Sequence, residues 1–210
     1  MHRERFYVVG ELEFWKSIVL GFTGPRIPVI PYQPRMRQLP PRILPVASAW
    51  TGIESVLSDL IRTFNLGTDA CLEFGVEFGY STAALSNFFR SITGVDCFIG
   101  DKHTVAQGDI YTDTLKRLSP YKNIRLVQSD YRDWIAHDKQ SYDLIHVDIV
   151  HTYADTFQCG LWSARHARCV LFHDTMSFPA VKQAVTDISR KTGKRFYHFE
   201  ESNGLGILVD

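Results

Sequence analysis

The segment Glu73-Phe74-Gly75-Val76-Glu77-Phe78-Gly79-Tyr80-Ser81 sets the architecture of this chain. It begins at the end of a short apolar run, Ala70 to Phe74, and opens a helical apolar pattern that continues to Phe89. A strand, a glycine turn and a helix in this order are typical of a doubly wound α/β sheet. The two glycines stand four residues apart, which differs from the G-x-G-x-x-G spacing of dinucleotide-binding motifs.

Strand and helix patterns alternate along the rest of the chain. The predicted strands span residues 70–74, 92–96, 124–128, 142–147, 169–172, 196–199 and 205–209. Only a turn at Asn203-Gly204 separates the last two, so we expect them to pair in antiparallel fashion. The pattern predicts an α/β fold, doubly wound and Rossmann-like, with a mainly parallel seven-stranded sheet and an antiparallel C-terminal edge.

Residues 1–48 form an N-terminal arm that differs from the remainder, residues 49–210. Seven of the nine prolines lie in the arm. Because proline fixes φ and lacks a backbone donor, we expect the part from Pro25 onward to be extended, without a sheet or a long helix. Apolar residues such as Trp15 and Ile30 indicate that the arm packs on its own domain, on a second subunit of a homodimer, or over the active site.

Composition narrows the class of partner. Lys plus Arg and Asp plus Glu number 23 each, so no net charge favours nucleic acid or an anionic membrane. No apolar run is long enough to span a bilayer. The cysteines Cys71, Cys97, Cys159 and Cys169 form no C-x-x-C pair, which speaks against a zinc cage. We expect reduced thiols and a cytoplasmic location.

Polar residues at the carboxyl ends of the strands are the candidate site, because ligands of doubly wound sheets bind there. Asp96 ends the second predicted strand, twenty-one residues after Gly75, which suits an acid that holds a ribose. Carboxylates at Glu73 and Glu77 would repel a pyrophosphate. S-adenosylmethionine (SAM) carries a sulfonium and an ammonium instead, so the residues favour SAM over NAD. The alternative is that both glycines merely form a tight turn.

The pattern Glu73-x-Gly75-x-x-x-Gly79-x-Ser81 resembles motif I of the class I SAM-dependent methyltransferase superfamily. Three later stretches, residues 94–103, 146–153 and 171–175, are similar to a subgroup of small O-methyltransferases of glycan and natural-product pathways. The resemblance runs from about residue 68 to the C-terminal end and leaves the arm outside.

The resemblance implies a set of cofactor contacts. Glu73, Gly75 and Gly79 would line the methionine part of SAM, with Ser81 opening the next helix. Asp96 would hold the ribose hydroxyls. Ser129 and Asp130 would lie near the adenine, although Asp130 alternatively caps the helix that starts at Tyr131. Asp101, Lys102 and His103 would face the cofactor, the acceptor or solvent.

A second group of polar residues follows the fourth and fifth predicted strands. Neighbouring strands would bring Asp148 close to Asp174 and His173, a set that suits Mg²⁺ or another divalent metal. His173 stands where similar magnesium-dependent enzymes carry an acid, which leaves the metal open. Asp148 and His151 are the candidate catalytic residues, with His151 as general base or simply as a helix-start residue. His146, inside its strand, is interpreted as a core group with satisfied hydrogen bonds.

Three functions remain in competition at this point. The leading hypothesis is methyl transfer from SAM to a hydroxyl of a small molecule or sugar. The second is a metal-dependent hydrolase that uses the Asp/His cluster. The third is a non-catalytic protein that keeps the fold for assembly, which would predict an occluded SAM pocket.

Overall fold

A computed structural model describes residues 26–100 and 108–210, together with Leu12 and residues 14–19. Within this part of the chain the strands are β1 (Val29–Pro31), β2 (Ala70–Phe74), β3 (Ser91–Asp96), β4 (Ile124–Gln128), β5 (Tyr142–Val147), β6 (Ala167–Phe172), β7 (Arg195–Phe199) and β8 (Leu205–Val209). A 3-10 turn, Ile53–Val56, leads into α1 (Leu57–Thr63), and the later helices are α2 (Tyr80–Leu85), α3 (Tyr111–Leu118), α4 (Tyr131–His137), α5 (Tyr153–His166) and α6 (Pro179–Thr192).

The strands form one sheet in the order β1-β7-β8-β6-β5-β2-β3-β4. All neighbouring pairs are parallel except those that β8 makes with β6 and β7. The doubly wound, mainly parallel sheet expected from the sequence is therefore confirmed. The antiparallel strand β8 lies two positions inside the edge of the sheet, because β7 and β1 extend the sheet beyond it.

The prediction of seven strands was wrong by one, since the described sheet has eight. The additional strand, β1, belongs to the proline-rich arm, where we had expected no sheet. Val29 pairs with Phe196 of β7, and the Tyr32 amide donates to the carbonyl of His198 at 2.8 Å. Pro28 and Pro31 are tolerated because β1 is a three-residue edge strand that needs bonds on one side only.

The described part of the arm packs on its own domain. Tyr32 and Leu44 belong to the main hydrophobic core, and the Tyr32 hydroxyl donates to Asp59 at 2.7 Å. Residues 14–19 are helical, and the Ser17 hydroxyl donates to Asp187 of α6 at 2.6 Å. The described part of the arm thus packs on its own domain, which is one of the expected arrangements. The boundary between arm and domain at residue 48 stays a prediction, and so does a homodimer.

Helices cover both faces of the sheet. On one face α1 contributes Leu57 and Leu60 to the core, and on the other α5 and α6 contribute Cys159, Val185 and Ile188. Side chains of successive strand residues alternate between the two faces. None of the described helices is both long and apolar enough to cross a lipid bilayer. Most of the polar residues discussed next lie at the carboxyl edge of β2 to β6, whereas Glu73 and His146 lie inside their strands.

Candidate active site

Gly75 lets the ends of β2 and β5 approach each other closely. Its φ is +86°, and a Cβ on this residue would lie 1.8 Å from the backbone oxygen of Asp148. The Asp148 amide donates to the carbonyl of Phe74 at 2.8 Å, which fixes Asp148 beside the turn. Gly79 has a φ of +84° and caps α2, where a Cβ would lie 2.7 Å from Leu118 Cδ1. Both glycines are therefore required by the turn itself.

Asp96, at the end of β3, orders this glycine turn. Its Oδ2 accepts hydrogen bonds from the amides of Val76 at 2.7 Å and Glu77 at 2.9 Å. Its Oδ1 accepts from the amide of Phe98 at 2.7 Å. The sequence predicted a ribose ligand here but not this bridge between two loops. A carboxylate retains further lone pairs, so the bridge does not prevent additional bonds to a ligand.

Two adjoining cavities open along the carboxyl edge of the sheet, and we call them together the trough. Their volumes are about 240 Å³ and about 380 Å³. Both are lined by Gly75, Glu77, Asp96, Asp148 and Ile149. The first cavity is further lined by Phe98, Ile110, Ser129, Asp130, Tyr131 and Arg132, and the second by residues 47–49, Tyr80, Ser81, His151, His173 and Asp174.

Most of the site residues predicted from sequence line this trough. The structure brings Gly75, Ser81 and Asp96 to it, together with Ser129 and Asp130 and the whole Asp/His group. Residues 47–49, where the arm meets the domain, also line the second cavity. Packing of the arm over the active site was one of the expected alternatives, but no motif pointed to these particular residues. Asp101, Lys102 and His103 lie outside the described residues.

The position of Asp130 is compatible with both interpretations that the sequence left open. Its Oδ1 accepts from the amide of Arg132 at 2.7 Å, which makes it the N-cap of α4. It also lines the first cavity. The cap fixes the wall of the cavity, so the two interpretations do not exclude each other.

Glu73 is the clearest departure from the expected contacts, because the structure does not place it in the trough. Its side chain is fully buried on the sheet face covered by α2, where Thr82 Oγ1 donates to Oε2 and His146 Nδ1 lies 2.9 Å from Oε1. The Trp50 indole donates to His146 Nε2 at 3.1 Å, so Nδ1 carries the proton and donates to Glu73. His146 is thus the satisfied core group that its strand position predicted.

The Asp/His group forms a compact cluster at the ends of β5 and β6. His151 Nε2 lies 2.9 Å from Asp174 Oδ2 and 3.5 Å from Asp148 Oδ1. His173 Nδ1 lies 3.2 Å from Asp148 Oδ2 and 3.4 Å from Asp174 Oδ2. His173 Nε2 lies 3.2 Å from the carbonyl of Ser202, which can only accept, so Nε2 carries a hydrogen.

Proximity shifts the pKa values in this cluster. Burial favours the neutral carboxyl of Asp148, but the charge of His173 and hydrogen bonds from both imidazoles outweigh it and hold the pKa below its usual range. Burial disfavours the imidazolium of His151, yet the hydrogen bonds and charges of Asp148 and Asp174 raise its pKa to about 9. Burial also disfavours the imidazolium of His173, but the charge of Asp148 and its hydrogen bond outweigh this effect and raise the pKa of His173. With a pKa of about 9, the His151 imidazole therefore holds its extra proton between the two carboxylates at neutral pH.

The same atoms form a set that suits a metal ion. One ligand atom each from Asp148, His151 and Asp174 lie within 4.8 Å of one another. The sequence had assigned Asp148, His173 and Asp174, so His151 joins the candidate ligands. Asp174 has a φ of +61°, a strained value for a residue with a side chain, which its neighbours hold in place. Such strain is concentrated at functional sites.

The comparisons with known proteins agree with this architecture. The sequence profile of a family described as "Methyltransferase domain" matches residues 72–175, which include the glycine turn, Asp96 and the Asp/His cluster. Among curated proteins, no sequence matches this one significantly.

Several solved structures share this fold at low sequence identity. An O-methyltransferase from Bacillus cereus in complex with SAH is 14% identical, with 80% of this chain and 84% of that chain covered and a TM-score of 0.53. TomG from Streptomyces achromogenes, an O-methyltransferase involved in tomaymycin synthesis and solved with SAM, is 13% identical, with coverage of 78% and 81% and a TM-score of 0.55. DesVI from Streptomyces venezuelae is 14% identical, with coverage of 74% and 89% and a TM-score of 0.54. In its matched profile over residues 72–175, its strand order and the glycine turn at its sheet edge, this chain is similar to the class I SAM-dependent methyltransferases.

Proposed function

We propose that the chain transfers the methyl group of SAM to a hydroxyl oxygen of a small molecule or sugar, with a divalent cation assisting at the Asp/His cluster. One observation carries the proposal. The cluster of His151, Asp148 and Asp174 opens into the second cavity, and Asp148 also lines the first. A base and a cation site therefore adjoin the space available to a cofactor.

The trough fits the chemistry of SAM. Glu77, Asp96 and Asp148 line both cavities, and a wall with these carboxylates attracts a sulfonium while it repels a phosphate. The apolar side chains of Phe98 and Ile110 line the first cavity and suit a flat adenine. We assign the adenine to this cavity, the ribose to the vicinity of Asp96 and the methionine part to Gly75 and Ser81.

The cluster also fits a divalent cation. Asp148 and Asp174 would bind the cation through oxygen and His151 through Nε2. His173 Nδ1 lies beside them as a further possible metal ligand. His173 donates a hydrogen bond from its other ring nitrogen, Nε2, to the Ser202 carbonyl, and histidines that bind metals commonly make such a bond. Imidazole ligands favour a transition metal such as Mn²⁺ over Mg²⁺. A bound cation would lower the pKa of an acceptor hydroxyl.

Because Nε2 cannot hold a cation and a proton at once, His151 accepts the acceptor's proton in our proposal only when no cation occupies this nitrogen. With a pKa of about 9 it is protonated at neutral pH and cannot act as a base in that state. Loss of the proton shared with Asp148 and Asp174 makes its nitrogen available. The carboxylates of Asp148 and Asp174 thus keep the imidazole in place, and by raising its pKa they set the pH above which it can act as a base.

Calorimetric titration with SAM and S-adenosylhomocysteine (SAH), with and without Mn²⁺ or Mg²⁺, tests the proposal. We expect micromolar binding of both compounds and a metal effect that disappears in Asp148→Asn, whereas Asp187→Asn keeps it. Folded protein that binds neither compound would contradict the SAM assignment. Metal-dependent phosphoester cleavage without SAM would favour the hydrolase, although the carboxylates of the trough repel such substrates.

The assembly hypothesis is less well supported by the geometry. It predicted an occluded SAM pocket, and the described residues instead line two open cavities of about 240 Å³ and about 380 Å³. A chain kept only for its surface needs no cluster of two carboxylates and two imidazoles at the sheet edge. We therefore place methyl transfer first.

A further inference from the structure

Asp155, in the first turn of α5, joins two separate parts of the site. The residue is 7% exposed, and its Oδ1 accepts from the Tyr131 hydroxyl at 2.7 Å and from the guanidinium of Arg132. Its Oδ2 accepts from the Thr152 hydroxyl at 2.6 Å. A single carboxylate thus connects the start of α4 with the start of α5.

The α4 side of this connection is a wall of the first cavity. Tyr131 and Arg132 both line it, directly after Ser129 and Asp130. The Tyr131 hydroxyl and one nitrogen of the Arg132 guanidinium donate to Asp155, so this carboxylate fixes how the two side chains line the cavity. In the proposed function this is the adenine half of the trough.

The α5 side leads to the Asp/His cluster. Thr152 is the N-cap of α5, and its Oγ1 accepts from the Asp155 amide at 3.1 Å while its hydroxyl donates to the carboxylate. His151 is the residue immediately before this cap. The position of His151 against Asp148 and Asp174 therefore depends on where α5 begins.

Packing alone does not require this arrangement. A buried carboxylate is costly unless several donors satisfy it, and apolar side chains of similar size would pack α4 on α5 as well or better. Here the donors come from two loops that carry different parts of the trough. A displacement of the start of either helix would weaken these hydrogen bonds to the Asp155 carboxylate.

We propose that Asp155 is a positioning residue that couples the cofactor half of the trough to the loop that places His151. The inference rests on the proposed function, because it assigns the first cavity to the adenine of SAM. Asp155 itself lines neither cavity, so it acts only through Tyr131, Arg132 and Thr152.

The experiment compares Asp155→Asn with a matched control, Asp187→Asn. Asp187 of α6 is also a largely buried carboxylate, and it accepts from the Tyr153 hydroxyl at 2.9 Å, one residue beyond Thr152, but it lines neither cavity. We expect both variants to melt at lower temperature. Only Asp155→Asn should weaken SAH binding, by about tenfold or more in calorimetry. It should also move the NMR signals of the His151 ring in ligand-free protein.

A second variant keeps the test decisive if Asp155→Asn fails to fold. Thr152→Val removes one hydroxyl on the His151 side, at a residue that lines neither cavity, and should still weaken SAH binding several-fold. Wild-type SAH affinity in Asp155→Asn and Thr152→Val would overturn the coupling. If the wild-type protein itself binds no SAH, the proposed function fails, and unmoved His151 signals in Asp155→Asn would then overturn the positioning role separately.

Discussion

Replacing Asp96 with asparagine tests how the glycine turn is held. In the wild-type chain its two oxygens accept from the amides of Val76, Glu77 and Phe98. Asparagine offers one acceptor oxygen and an amide group that only donates, so at least one of the three N–H groups loses its partner. Hydrogen bonds to a charged group contribute about 1.5–3 kcal/mol and the remaining ones become neutral, so we expect unfolding free energy to fall by about 2–4 kcal/mol.

Urea denaturation followed by circular dichroism measures this loss, and SAH titration measures its effect on the trough, where we expect at least a tenfold weaker affinity. Asp130→Asn is the matched control for stability, since Asp130 caps α4 through the Arg132 amide and asparagine caps a helix equally well. Its unfolding free energy should change by less than about 0.5 kcal/mol. Equal stability of Asp96→Asn and Asp130→Asn would refute the bridging role of Asp96.

Three further predictions concern single residues. Gly75→Ala should lower the free energy of unfolding by at least about 2 kcal/mol, because φ is positive and the added Cβ would meet the backbone of Asp148. The control Gly193→Ala, with a φ of +78° and open space around the Cβ, should lose only about 1 kcal/mol. Similar losses for the two variants in thermal melts would contradict the close approach at Gly75. Folding raises the pKa of His151 from 6.5 to about 9, so the protonated imidazole stabilises the folded state. This contribution to the free energy of unfolding, on the order of 3 kcal/mol, is complete below pH 6.5 and is lost as pH rises through 9. Denaturation of metal-free protein at pH 6 and pH 9.5 should show this loss, and His151→Gln should reduce the stability difference between the two pH values, with the raised pKa of His173 accounting for part of what remains. Trp50→Phe leaves His146 Nε2 buried without its donor and should destabilise by about 1–3 kcal/mol, which a wild-type melting curve would disprove.

The sequence predicted the sheet well because its strands are short apolar runs bounded by turn residues. The expected limits of β2, β4, β5 and β8 agree with the structure residue for residue. Strand β1 could not be predicted in the same way. Three residues beside two prolines carry no periodicity, and only the exposed edge of β7 gives them a partner.

The site could be predicted in part for a related reason. Asp96, Asp148 and Asp174 lie at or within two residues of the ends of β3, β5 and β6, and the carboxyl ends of parallel strands meet at one edge of the sheet. Glu73 lies inside its strand, where successive side chains point to opposite faces of the sheet. Its side chain therefore points towards Thr82 and away from the trough. The motif alone did not indicate this orientation.

Contacts between distant residues were beyond sequence reasoning. The bonds of Asp155 to Tyr131 and Arg132 depend on the packing of α4 against α5, and no local pattern encodes it. The wall at residues 47–49 likewise depends on Trp50 reaching His146 across the core.

The short strand β1 also has a consequence for self-association. An uncovered sheet edge presents unpaired N–H and C=O groups that can recruit a strand from another molecule. In this chain β1 covers β7 and is bounded by Pro28 and ends in Pro31, neither of which can donate a backbone hydrogen bond. The arm therefore closes the sheet with a strand too short and too proline-rich to be extended by a neighbour, and its removal would leave β7 as a template for aggregation.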